Sequence, residues 1–208
     1  MRRHLVRALP LASLVLVPCA TVGAAQENIQ AGQRFTVSQQ RLDIYDAVGH
    51  VTLHHGTGSD IVIVATRVGA DAGRIGFAFD RESDRGVYRV VFPVSDIERI
   101  ADPDGDGGGR TTLRLRADGT FGGDGERGGS FIRRAARAGR GEEIEVGGRG
   151  GFRGSANLDI TVPDGKVLKV HVVAGGVRAE GVNGDVLVDT WGADAAASDI
   201  AEIGRAHV

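Results

Sequence analysis

The chain has 208 residues, with 25 Lys plus Arg against 27 Asp plus Glu and a formal net charge of −2. That balance excludes a global field for nucleic acid or an anionic membrane. Its 33 glycines keep no Gly-X-Y period, which excludes collagen, and a single cysteine excludes an internal disulfide.

The first element reads as a secretion signal over residues 1–25. Arg2, Arg3 and Arg7 form a positive start, Leu11 to Val17 an apolar run, and Val22-Gly23-Ala24-Ala25 a small-residue cleavage site. The apolar run is well short of the ~20 residues that span a bilayer, and no later stretch is longer, so no transmembrane segment is expected. Cys19 leaves with the signal, so the mature chain carries no thiol nucleophile. The expected location is exported: periplasm, outer cell surface or extracellular medium.

Residues 26–202 read as one all-β domain, because Val, Ile and Thr alternate with polar residues and amphipathic helical spacing is nearly absent. Gln33 to Val37 opens the series. Leu42 and Ile44 alternate with Asp43 and Tyr45 as a half-buried strand, Ala47-Val48-Gly49 reads as a turn-like break, and Val51 and Leu53 resume the alternation. Ile61 to Val64 follows as a strand. Ile75 to Phe79 and Val87 to Phe92 then make two strands joined by the charged stretch Asp80 to Gly86.

The interval 102–154 changes character and reads as a flexible low-complexity insertion in the domain. Asp102-Pro103-Asp104-Gly105-Asp106-Gly107 matches the front of a calcium loop, but Leu113 stands where a bidentate Glu would close it. The expectation is a solvated turn, with Asp102, Asp104 and Asp106 as the ligands of a weak calcium site if one exists. Otherwise no cofactor is expected. Thr111 to Arg116 and Glu142 to Val146 interrupt an Arg- and Gly-rich sequence whose few large apolar residues argue against a core of its own. Gly147 to Gly154 has the look of an Arg-Gly-Gly nucleic-acid segment. Export argues against that partner and for an inert tether.

Order resumes at Leu158, Ile160 and Val162, turns at Pro163-Asp164-Gly165, and continues through Val167 to Val188 in short valine-rich runs. Gly175-Gly176, Gly181 and Asn183-Gly184 mark the corners. The repetition favours a β-solenoid, a helix-like stack of short strands. Asn183-Gly184 is equally a good hairpin turn, so antiparallel stacking stays open. Residues 203–208 translate the start of a common sequencing adapter, so the natural chain is expected to run out near Glu202 as a truncated solenoid.

The strand ending in Val162-Pro163, followed by Gly175-Gly176-Val177 and Gly184-Asp185-Val186, resembles the bacterial putative-adhesin domain family of unknown function, related to the head domains called GIN. The resemblance also takes in Phe35 to Val64 and Tyr88 to Val94. It implies a β-helix-like fold, an envelope or exported location and an adhesive or structural role, with no catalytic residues to transfer. The insertion and the early end depart from the family pattern.

For chemistry the inventory is thin. His50 and His54 share a strand face about 13 Å apart, too far for one zinc ion. No Ser/His/Asp grouping stands out. The expectation is a non-enzymatic domain that meets an unknown surface ligand, such as a glycan or envelope component. Envelope sensing of stress or antimicrobial peptides is the first alternative, and a carbohydrate-active β-helix enzyme the second.

Overall fold

A computed structural model describes residues 32–101, 110–122, 141–198 and 202–207. The signal segment 1–25 and the candidate calcium ligands Asp102, Asp104 and Asp106 lie outside the described residues, as does the run of arginines from Arg133 to Arg140.

The described residues are all-β, with two single-turn 3₁₀ segments and no α-helix. The centre is a pair of long parallel strands, β2 (Arg41–Gly56) and β10 (Val167–Glu180), in register from Arg41 opposite Val167 to His54 opposite Glu180. Each has different neighbours along its two halves. The first halves lie between β5 (Arg85–Val91) and β11 (Asp185–Thr190). The second halves lie between β9 (Ser155–Pro163) and β12 (Asp194–Ser198). All these contacts are parallel.

Antiparallel strands fringe this centre. β4 (Gly76–Arg81) pairs with β5, β3 (Ile61–Val68) with β9, and β1 (Gln33–Val37) with β3. β13 (Glu202–His207) adds in parallel to β11. The result is one mixed ten-stranded sheet that does not close on itself.

Two expectations at the centre change. Ala47-Val48-Gly49 and Gly175-Gly176 do not turn the chain; β2 and β10 run straight through them. Gly49 and Gly175 are register partners. A Cβ on Gly49 would stand 1.8 Å from the Ala156 carbonyl oxygen, and one on Gly175, at φ 106°, would stand 2.0 Å from that of Gly49. Three backbones converge where side chains would sit, so glycine here serves close packing rather than a corner. Asn183-Gly184 does not form a hairpin, since Val167 pairs in parallel with Asp185. A parallel connection needs about a dozen residues. The second half of β10 and its turn, residues 173–184, supply them as strand instead of helix.

The alternation at Leu42 to Tyr45 also understates burial, because every residue from Leu42 to Gly49 is buried. One face carries Leu42, Ile44, Leu168 and Val170 into the main core. The other is covered by chain from the interval expected to be a flexible insertion.

That interval is structured where it is described. Its strands β7 (Thr111–Leu115) and β8 (Glu142–Val146) form a second sheet with β6 (Arg99–Ile100), just before it, in the order β6-β8-β7. Ile100, Leu115, Ile144, Val146, Phe121 and Phe152 are buried in the common core. The composition argument averages over the interval. A few apolar residues suffice when they pack on an existing core, each contributing about 1.5–3 kcal/mol. Gly147 to Gly154 is not a free tether either. Gly151, at φ 84°, lies against the Arg99 carbonyl, and Phe152 meets Phe92 edge-on at 6.0 Å.

Candidate functional site

In-register parallel pairing sets residues of one row side by side. Arg89, Tyr45, His171 and Asp189 form such a row across β5, β2, β10 and β11. They share the face opposite the aliphatic core, because strand side chains alternate.

The row is tied together laterally. The His171 ring stacks on Tyr45 at 4.5 Å and 11°. Its Nδ1 lies 3.2 Å from Asp189 Oδ2, and the carboxylate can only accept, so Nδ1 donates. Tyr45 takes Phe121 edge-on at 5.6 Å, and Phe121 takes Trp191 edge-on at 5.6 Å. Trp191 follows the last residue of β11, and its N–H donates to the Val172 carbonyl at 3.3 Å, extending the ladder by one residue. The chain from buried Tyr45 to the surface ends there, with Trp191 44% exposed.

Arg89 anchors the loop that supplies Phe121. Its guanidinium is buried and ion-paired to Asp80 and, at 3.2 Å, to Asp118. Asp118 Oδ1 also accepts from the Thr120 N–H at 3.0 Å and the Thr120 hydroxyl at 2.7 Å. Gly119, at φ 87°, lets the turn approach the Val90 carbonyl. Beside this row Arg85 is ion-paired with buried Asp43.

A second titratable group lies at the glycine crossing. Asp46 is fully buried. Its Oδ1 accepts from the Val48 N–H at 3.3 Å and its Oδ2 has no partner. Burial raises its pKa well above the ordinary carboxylate range, with the Val48 bond opposing. The Tyr88 hydroxyl is buried too. Burial, and then the Asp46 charge, raise its pKa, with Arg67 opposing.

An open cleft of about 1190 Å³ runs along the second sheet, lined by Asp71, Asp96, Glu98, Glu142, Glu143 and Glu145 among others. Arg74 engages Asp96 at 2.8 Å, and Arg99 and Arg110 engage Glu145 at 2.7 and 3.3 Å.

The strand histidines stand on the far half of β2. His54 lies 3.5 Å from Asp159 and His55 3.0 Å from Asp164, each pair substantially exposed. Among the described residues no three His, Asp, Glu or Cys side chains converge as metal ligands. No described helix is long and apolar enough to cross a membrane.

Sequence reasoning passed over Tyr45, His171, Asp189 and Trp191. Their signal was strand parity: Asp43 and Tyr45, Lys169 and His171, Leu187 and Asp189 occupy matching positions on three strands. Pairing those strands requires knowing their register, which the sequence does not state.

No protein-family model and no curated protein matches the chain. Among solved structures it is similar to a "putative cell adhesion protein" from Clostridium sporogenes, at 7% identity and a TM-score of 0.33. The match covers 78% of this chain and 58% of that one, less than two thirds of the other protein's length. A likeness at that level carries no argument for fold or function.

Proposed function

We propose that the chain is an exported, non-enzymatic β-solenoid domain with an adhesive or structural role at the bacterial cell envelope. One observation supports this most: the constant offset of the C-terminal strands. Val167 pairs with Asp185 and Gly176 with Asp194, both 18 residues on. Each rung in this reading is two strand segments, and rungs stack on their predecessors as in other repeat architectures. The Gly-x-Val and Gly-Asp-Val steps that resemble the adhesin family fall within it.

Stacked rungs present broad faces suited to many shallow contacts. Export rests on the signal layout of residues 1–25. The test uses the full gene, tagged at its C-terminus, in a bacterial host. Mass spectrometry is expected to find the chain cleaved after Ala25 and fractionation to find it outside the cytosol. Beads coated with the mature chain are expected to adhere to bacterial cells. A cytosolic, uncleaved product, or beads that behave like uncoated ones, overturns the reading.

The acidic cleft favours a second reading, capture of cationic peptides in envelope sensing. A labelled oligolysine is then expected to bind, more weakly as salt is raised. Glu142→Gln with Glu143→Gln is expected to weaken it further; equal binding by parent and variant removes this reading.

A further inference from the structure

We propose that Trp191 and Asp189 form a site for an uncharged pyranose of a saccharide chain. The inference rests on the binding-module reading above and names its ligand class. Trp191 is the exposed large apolar side chain among the described residues; its aromatic neighbours are buried. Its ring is held before any ligand arrives. Phe121 braces it edge-on, Tyr45 braces Phe121, and the Arg89–Asp118–Thr120 contacts hold the loop. A platform fixed in advance loses little side-chain entropy on binding.

Asp189 stands two residues earlier, on the face that Tyr45 and His171 share and from which the aromatic chain leads to Trp191. Its side chain is 34% exposed and its carboxylate is held by His171 behind it. An indole face carries negative quadrupole density and attracts the weakly positive C–H face of a sugar ring. A carboxylate beside it accepts hydrogen bonds from the hydroxyls on the rim of that ring. Few fixed polar groups beside an apolar contact are how small-ligand sites set orientation. Asp189 repels a sugar acid. A protein partner needs roughly 800 Å² of surface on each side, and one isolated indole does not mark such a patch. The pattern fits a single ring best.

Trp191 is the chain's only tryptophan, so its emission reads this site directly. The full chain is titrated with chitotriose, cellotriose and mannotriose, and with trigalacturonate as the charged control. At least one neutral trisaccharide is expected to shift the emission saturably, and trigalacturonate to leave it unchanged. Asp189→Asn is expected to weaken that binding about tenfold. By calorimetry Trp191→Ala is expected to weaken it about 30-fold or more. Trp191→Phe, with an unchanged melting temperature, is expected to keep most of it, which separates loss of the platform from loss of the fold. No response to any neutral trisaccharide, a response to trigalacturonate alone, or full binding by Trp191→Ala overturns the proposal. Coated beads that still adhere while all three trisaccharides fail sink this site and leave the adhesive reading standing. Beads and trisaccharides failing together sink both.

Discussion

The two halves of β2 share one strand and one parallel partner, yet their outward faces differ in kind. Along the first half, the face that holds Tyr45 is covered by the loop carrying Phe121, and each ion pair beneath it joins a buried group to a partly buried one. Along the second half, His54 pairs with Asp159 in the open, and at the strand's end His55 does so with Asp164. The same backbone pattern therefore yields interactions of unlike worth. Removing one partner of a buried pair strands a charge and costs about 3–5 kcal/mol. Removing one from an exposed pair costs about 0–1 kcal/mol. The glycine crossing at Gly49 separates the two halves.

The sharpest way to break the comparison is at that crossing. Gly49→Ala is expected to cost more than about 4 kcal/mol, since its Cβ collides with the Ala156 backbone. Urea midpoints measure it, and a near-normal midpoint shows that the strands can separate there. Arg89→Ala is next, below the ~3–5 kcal/mol of a fully buried pair because Asp80 and Asp118 keep partial contact with water. It is also expected to shift Trp191 emission, as the loop holding Phe121 loosens.

Ile144→Ala is expected to cost about 2–5 kcal/mol. A loss under about 0.5 kcal/mol would restore the view of 102–154 as an insertion outside the core.

Asp46→Asn tests the buried carboxyl. Burial raises its folded-state pKa above its unfolded value, so the native state binds the proton more tightly. That contribution is full below the unfolded pKa and is lost as pH rises through the folded one. The variant is expected to be more stable than the parent at neutral pH, with a flatter stability curve above pH 4. Parallel curves for the two proteins would place the titration elsewhere. The smallest effect belongs to His55→Gln, within about 1 kcal/mol, because its pair with Asp164 is exposed. A larger loss would mean that the open half is less solvated than its exposure implies.

Strand positions were largely legible. Gln33 to Val37, the pair joined near Asp80 to Gly86, Leu158 to Val162 and the turn at Asp164-Gly165 all stand where alternation and turn residues put them. Gly49 and Gly175 were legible as special positions and misread in role. A glycine that ends a strand and one that lets a neighbouring backbone approach look identical in one dimension. The strands of the second sheet were legible as fragments, but their burial was not, because the partners of Ile144 and Leu115 lie far off in sequence. The candidate site was the least visible part. None of Tyr45, His171, Asp189 and Trp191 belongs to a local motif, and the row exists only through the register of four strands.

By itself the sequence determined that the described chain is β-structured, since side-chain alternation is a local property of each segment. It also determined where many strands begin and end, through proline, aspartate and glycine at the turns. Only the tertiary structure decided that β2 and β10 pair in parallel, that a single strand changes neighbours halfway, and that an aromatic stack leads from a buried tyrosine to an exposed tryptophan. Those features depend on contacts between segments far apart in sequence, such as Arg41 with Val167, Tyr45 with Phe121 and Phe121 with Trp191. Alternation of period two says which residues share a face but never which strand lies beside them.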